Sequence, residues 1–316
     1  MTGVQTCALP IFRRRSQRFD SELRNLSEEY EMIGLLLAGG KGSRLWPITS
    51  HTSKQLLPIY DKPMIFYSLS TLMLAGVKRI FLVCTSDYIK NFKALLGDGN
   101  QFGLSIEYLI QNEPKGIAHA IELIPNIERK SNLVMSLGDN LFYGMGLGTS
   151  LQNVYKGSGA LAFGYKVSNP EEYGVVCLDE KLVPTKIVEK PVNFVSSWAI
   201  PGLYFFDSNV YDYQKMLTPS ARNELEITDL LNIYLKQNKL EISVLERGTA
   251  WLDTGNPQAI LEASEFVRVI EHRQGMKIGC PEEIALRQGF ISRGEYSELV
   301  QSYPESSYKS YLVSLL

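Results

Sequence analysis

The sequence predicts an α/β fold, a doubly wound and mostly parallel central sheet with antiparallel additions and a small helical unit at the C-terminus. Three observations carry that expectation. Runs such as IGLLLAG, RIFLVCT and SNLVMSLGDN are short, apolar on both faces and closed by glycine or a polar turn, as strands covered on both sides are. Segments of helical length and spacing lie between them. Beyond Gly157 the texture changes to short strands separated by turns.

The elements follow in order. IGLLLAG is the first buried strand. MIFYSLSTLMLAG places Leu69, Leu72 and Met73 at helical spacing and ends at Gly76. RIFLVCT is the next strand, and YIKNFKALLGDG a helix closed by Gly97. LSIEYLIQ is a third strand. GIAHAIELIPNI begins a helix after Gly116, and SNLVMSLGDN is a fourth buried strand. ALAFGYKV, GVVCLD, KIVEKP and AIPGLYFFD read as antiparallel or mixed additions to the same sheet. EITDLLNIYLKQNK is a helix with Thr228 near its start, and ISVLERGTAWLDTG returns to strand and a glycine turn. NPQAILEASEFVRVIEHRQG is a long amphipathic helix that starts at a proline. These signals divide the chain into 1–31, 32–255 and a helical region 256–316.

The 316 residues are 45% hydrophobic and 21% charged, with a net charge of −2, an ordinary globular composition without the basic excess that nucleic acid would call for. Cys7, Cys84, Cys177 and Cys280 are widely spaced, so neither a disulfide framework nor a zinc site is indicated. Cys84 lies in an apolar run and reads as a small core hydrophobe. His51, His119 and His272 share no metal-binding spacing. No apolar run reaches membrane-spanning length. The opening MTGVQTCALPI resembles a translated sequencing adapter, and residues 12–31 are polar and charged. Residues 1–31 are read as a non-native, disordered or helical extension outside the fold, with Met32 as the expected natural start.

In open α/β sheets ligands bind just beyond the carboxyl ends of strands. The stretch LLLAGGKGSRLWP, residues 35–47, occupies such a place. It lacks the third glycine of G-x-G-x-x-G, since Leu45 follows Arg44, and the acid at a suitable distance, Asp61, sits in a turn between two prolines. No register fits a Walker A loop. A glycine-lined backbone with Arg44 and Lys54 in the same loop can instead cradle several phosphates, with a purely structural turn as the alternative.

At this point the chain resembles the sugar-1-phosphate nucleotidyltransferases, on LLLAGGKGSRLWPITSHTSKQLLPIYDKP and then LLGDGNQFGL, LGDNLFYG, EEYGVV, VEKP, GLYFFD, SARNELEITDL, GTAWLDTG and CPEEIA in order. Each motif alone is weak, but the ordered set is specific and runs from about Ile33 to near the C-terminus. Within that family it is most similar to the branch that couples dTTP to glucose 1-phosphate. The resemblance implies a Rossmann-like nucleotidyltransferase fold and a Mg²⁺-dependent in-line displacement. In it a phosphate oxygen of α-D-glucose 1-phosphate attacks the α-phosphorus of dTTP, giving dTDP-glucose and pyrophosphate, a first step toward dTDP-rhamnose and related deoxysugars. Alternatives are the same reaction with UTP or CTP, or a regulatory homologue that has lost catalysis.

Residue by residue, the resemblance assigns Gly39, Gly40, Gly42 and Ser43 to the triphosphate loop, with Ser43 where the family usually has Thr. Arg44 and Lys54 are the phosphate-binding cations and, with Lys190, the catalytic residues. Gln111 reads the pyrimidine edge, since an amide both donates and accepts, and Gly116 lies beside the base. Nearby, Lys115, Ile117 and His119 stand where a family member carries Asp, Leu and Gln, and His119 is read as a surface or packing residue. Asp139 and Asp253 are the metal ligands, hard oxygens that suit Mg²⁺. Tyr173, Gly174, Glu189 and Lys190 form the sugar-phosphate site. Trp251 supports Asp253 or simply fills the core, and Pro201 replaces a Thr of some relatives. Substrates dTTP and glucose 1-phosphate, no nucleic acid or membrane partner, a cytoplasmic location and assembly into a homo-oligomer, a tetramer by family habit, complete the implied picture. The C-terminal helices 256–316 are linked in the family to assembly and regulation.

Overall fold

Strand β1 (Met32–Leu37) is the central strand, and its side chains are needed on both faces. Leu36 joins Leu82 and Val134 in one core, while Leu35 joins Phe81 and Met135 in the other. That is why the run is apolar throughout instead of alternating. The computed structural model describes residues 32–40 and 42–316. The expectations placed on residues 1–31 lie outside the described residues.

After β1 comes a long loop with two single turns of 3-10 helix, Ser43–Leu45 and Lys54–Leu56. A small hairpin follows, β2 (Pro58–Ile59) with β3 (Lys62–Pro63), then helix α1 (Ile65–Leu74). Strand β4 (Arg79–Cys84), helix α2 (Ile89–Leu96) and strand β5 (Ser105–Ile110) continue the winding. The segment GIAHAIELIPNI was expected to begin a regular helix; it forms instead a 3-10 stretch, Ala118–Leu123. Strand β6 (Asn132–Leu137) returns beside β1, and β7 (Asn140–Tyr143) leaves it. Helix α3 (Leu147–Val154) carries no strong periodic signal in the sequence and was not anticipated.

The second half adds β8 (Ala160–Lys166), β9 (Gly174–Leu178), β10 (Pro184–Glu189), β11 (Trp198–Ala199) and β12 (Leu203–Phe206). Short helix α4 (Val210–Gln214) and α5 (Ile227–Lys236) precede β13 (Leu240–Val244) and β14 (Ala250–Asp253). Helix α6 (Pro257–Gln274) starts on an Asn256 side chain that accepts from the Ala259 N–H and stops at left-handed Gly275. Helices α7 (Pro281–Arg287), α8 (Arg293–Ser302) and α9 (Ser307–Val313) close the chain.

The main sheet runs β10-β9-β11-β8-β12-β6-β1-β4-β5, with β13 pairing parallel to β8. Strands β6, β1, β4 and β5 are parallel, as predicted, and β12 to β10 form the antiparallel extension. Successive parallel strands go outward from β1 to β4 and β5, then jump back to β6 on its other side. The sheet therefore has its switch point between β1 and β6, where a crevice opens beyond the carboxyl ends. Cys84 is fully buried in the core. Residues Met32–Leu316 form one unit.

Candidate active site

The two strands that flank the switch point end close together. The Gly138 N–H donates to the Leu37 carbonyl at 2.8 Å, and a Cβ on Gly138 would stand 2.4 Å from that oxygen. No larger residue fits there, so the backbone after β6 turns sharply and delivers Asp139 into the crevice.

Asp253 arrives from the other end of the sequence. β14 pairs antiparallel with β7, in a register that sets Asp253 opposite Asn140. Thr254 completes the junction: its N–H and its hydroxyl both donate to the Asp139 carbonyl, at 3.1 and 2.7 Å. Asn140 fixes the neighbourhood. Its carbonyl oxygen accepts from the Trp251 indole N–H at 2.6 Å and the Gly202 N–H at 2.9 Å, so its amide nitrogen faces Asp139, donating at 3.0 Å. Trp251 is thus core and support at once, packed edge-on against Tyr173 with centroids 5.0 Å apart.

The two carboxylates have opposite electrostatics. Burial pushes Asp139 upward, but the Lys54 ammonium in direct contact with it, aided by Asn140, holds it below the usual carboxylate range. Burial, and then the charge of Asp139, push Asp253 up to about 7, more than Lys54 and Arg44 offset. Two carboxylates in one crevice with too little positive charge are what a divalent cation with hard-oxygen preference fits. Among the described residues no group of three or more His, Cys, Asp or Glu side chains is placed to hold a metal ion. An ion here would rest on these two carboxylates with substrate oxygens and water.

Two cavities meet at Asp139. The first is lined by Gly39, Gly40, Lys54, Gln111 and Gly116. Gln55, buried beneath it, accepts from Ser53 at 2.6 Å and braces the loop, a role that no local pattern signals. Gly42 and Ser43 line neither cavity. Gly42 is the left-handed turn that starts the 3-10 stretch, pinned by the Thr49 hydroxyl donating to its carbonyl at 2.8 Å, and Ser43 is exposed. A Cβ at Gly116 would lie 2.4 Å from the Leu225 carbonyl oxygen, and the Leu225 N–H donates to the Lys115 carbonyl at 2.8 Å. His119, read from sequence as a surface or packing residue, is partly buried with its Nδ1 2.8 Å from the Gln111 amide nitrogen.

The second cavity is lined by Arg44, Tyr173, Gly174, Glu189, Lys190 and Asp253, among others. The Arg44 guanidinium and the Asp253 carboxylate both lie over Gly255, where a Cβ would be 3.2 and 3.3 Å from them. Glu189 accepts from Arg222 at 3.0 Å and from Thr228 at 3.2 Å. Gly174 permits this closeness, since a Cβ there would meet Thr228 at 2.7 Å and Glu189 at 3.1 Å. Arg222 also bonds Glu226 at 2.8 Å, linking three acidic residues; it lies in SARNELEITDL but was not singled out by sequence. Lys190 has a φ of 38°, held by its N–H donating to the Tyr173 carbonyl at 3.1 Å.

A family model described as nucleotidyl transferase matches residues 33–269. A glucose-1-phosphate thymidylyltransferase of Mycolicibacterium smegmatis is 47% identical over 285 residues, 90% of this chain and 99% of that protein. One from Neisseria meningitidis is 45% identical over 286 residues, with the same coverage of 90% and 99%. A Bacillus anthracis crystal structure, provisionally named a glucose-1-phosphate thymidylyltransferase and in complex with sucrose, superposes with a TM-score of 0.69 at 35% identity, over 75% of this chain and 95% of that one. A UDP-glucose pyrophosphorylase complexed with UDP-glucose shares the fold, with a TM-score of 0.66 at 24% identity over 76% and 99% of the two chains.

Proposed function

The chain belongs to the nucleotidyl transferase family, and we propose that it joins the thymidylyl group of dTTP to α-D-glucose 1-phosphate, giving dTDP-glucose and pyrophosphate. One observation carries the reading. The cavity that holds Gln111 and the glycine loop meets the cavity that holds Glu189 and Lys190 at Asp139, with Asp253 beside it. A nucleotide on one side and a sugar phosphate on the other would bring their phosphates together there.

The nucleophile is a phosphate oxygen that already carries negative charge, so no base has to remove a proton. The obstacle is repulsion between two anions, and the remedies are alignment and positive charge. Lys190 holds the attacking phosphate from the sugar side, and Glu189 accepts from sugar hydroxyls against the wall made by Tyr173 and Gly174. Arg44, poised over Gly255, neutralises the departing pyrophosphate. Lys54, resting on Asp139, turns to the triphosphate, which Gly39 and Gly40 approach through backbone, with Gly42 and Ser43 carrying on the same loop outside the cavity. Asp139 and Asp253 would hold Mg²⁺, which when bound would supply positive charge to screen the phosphates. The regulatory alternative is disfavoured because Arg44, Lys54, Asp139, Lys190 and Asp253, which such a homologue would be expected to have lost in part, are all present in the sequence.

Residues 32–255 carry the reaction, and the helical region 256–316 serves assembly into a homo-oligomer. Among the described residues no helix is long and apolar enough to cross a membrane, and a cytoplasmic enzyme fits the substrates. The test is a panel of nucleoside triphosphates against sugar 1-phosphates with Mg²⁺, read as pyrophosphate release. Turnover is expected with dTTP and glucose 1-phosphate; none with dTTP overturns the reading, and equal or better turnover with UTP or CTP replaces it with the nearest alternative.

A further inference from the structure

We infer that His119 is a positioning residue that fixes the Gln111 amide in one orientation, so that Gln111 accepts, and does not donate, toward the base. The inference rests on the nucleotide assignment of that cavity and goes beyond it by naming what sets base selectivity.

The Gln111 amide nitrogen has two N–H groups. One is directed to the Gly116 carbonyl at 3.3 Å, the other to His119 Nδ1 at 2.8 Å. A carbonyl only accepts, so the atom facing Gly116 must be the nitrogen; the flipped amide would set two oxygens face to face. Gly116 cannot move away to relieve this. Its loop is tied on both sides to Leu225, whose N–H donates to Lys115 at 2.8 Å and whose carbonyl accepts from Ala118 at 3.2 Å. With the amide nitrogen donating to His119, Nδ1 must offer its lone pair, and the ring proton of the neutral imidazole sits on Nε2. On that side such a ring can only accept. Both Gln111 donors are then engaged, and Oε1 is left for the cavity. It lies on the floor beside the glycine loop, 3.8 Å from where a Cβ on Gly39 would be.

An acceptor at that point selects its partner by chemistry. The imide edge of thymine or uracil presents an N3–H and pairs with Oε1. The corresponding edge of cytosine presents an N3 lone pair, which Oε1 repels. Discrimination of this kind is large because the mismatch leaves two acceptors desolvated against each other. Without the acceptor at residue 119, only the long 3.3 Å bond to the Gly116 carbonyl holds the amide; the side chain could then swing off that carbonyl, rotate and donate, and the exclusion of cytosine would weaken.

The experiment compares kcat/KM for dTTP, UTP and CTP in the full chain, in His119→Leu and in His119→Gln, with glucose 1-phosphate as acceptor. His119→Leu should lower the dTTP-over-CTP preference about tenfold or more. It should leave the dTTP-over-UTP ratio and the KM for glucose 1-phosphate near their original values, because both imide bases present the same N3–H. His119→Gln, whose side-chain oxygen can accept from Gln111, should restore the preference. An unchanged dTTP-over-CTP ratio in His119→Leu overturns the inference, as does an equal loss against all three nucleotides. If the leucine variant does not fold, nitrogen-15 spectra of the intact protein decide: a ring proton on Nε2 of His119 supports the inference, and one on Nδ1 overturns it. Failure of the unaltered chain to use dTTP would overturn the thymidylyl reading instead, while the ring-proton measurement would still report on His119.

Discussion

Asp253 is the residue whose surroundings suit it least in the free protein. The unfolded chain ionises an aspartate near a pH of about 4. Burial and the neighbouring Asp139 delay ionisation of Asp253 in the fold to about 7. Between those values the native state binds the extra proton, so unfolding releases it and stability declines as pH rises through that window. An amide at this position carries no such penalty. Asp253→Asn should therefore melt higher than the unaltered protein at pH 8 without Mg²⁺, and it should lose turnover by about a hundredfold or more for want of a metal ligand. Thermal melts and pyrophosphate release on the same samples check both halves; a variant that melts lower or turns over normally refutes the assignment. The sequence made Asp139 and Asp253 visible because each closes a strand in a family motif. Asn140, Thr254 and Arg222, which orient these side chains and Glu189, were not visible, because their roles depend on which strands pair and not on any local pattern.

At the scale of elements, the parallel strands were legible because burial on both faces demands an unbroken apolar run, as in Leu35 and Leu36. The ribbon of β7 and β14 was not, since its register joins Asn140 to Asp253 from far apart in the chain and each strand is short. The segment after Gly116 had the apolar spacing of a helix, yet it becomes the 3-10 stretch Ala118–Leu123. Pro125 stops it after two turns, and its start is pinned to Leu225. Spacing alone cannot reveal a tertiary tether of that kind. Gly116 has a φ of 97°, and a Cβ would collide with the Leu225 backbone at 2.4 Å. Gly116→Ala should cost about 1–3 kcal/mol of stability by forcing strain or separation at this point. Because the displaced carbonyl also holds Gln111, the KM for dTTP should rise well above any change in the KM for glucose 1-phosphate. A urea melt and a pair of Michaelis curves test this, and equal changes in the two KM values would detach the loop from the base site.

Over the whole molecule, the C-terminal helices are sealed to the body of the protein by a buried charge cluster. Lys62 of β3 is only 4% exposed, yet it carries an ammonium. It contacts Asp61 at 2.6 Å and Glu271 of α6 at 3.1 Å, and Lys277 bonds the same two acids, reaching Glu271 at 2.7 Å. The Ile278 N–H donates to Glu271 at 2.9 Å, and the Tyr67 hydroxyl donates to the Ile59 carbonyl at 2.7 Å beneath the cluster. In the sequence Asp61 and Lys62 look like turn residues between two prolines, and nothing local tells that a helix two hundred residues on will cover them. Removing Lys62 leaves acidic groups buried with one cation instead of two, and such a loss is expensive: Lys62→Met should cost about 3–5 kcal/mol near neutral pH. The pH dependence has a definite sign. Burial raises the Asp61 carboxyl, but Lys62 and Lys277 outweigh it and hold the group below the ordinary carboxylate range. A depressed carboxylate stabilises the fold above its unfolded value, near a pH of about 4, and that contribution disappears as pH falls through the folded value. The gap in urea midpoint between the unaltered protein and Lys62→Met should thus be widest at neutral pH and narrow in acid. A gap that stays constant down to pH 3 would mean that packing of the lysine stem, and not its charge, joins the helices to the catalytic sheet.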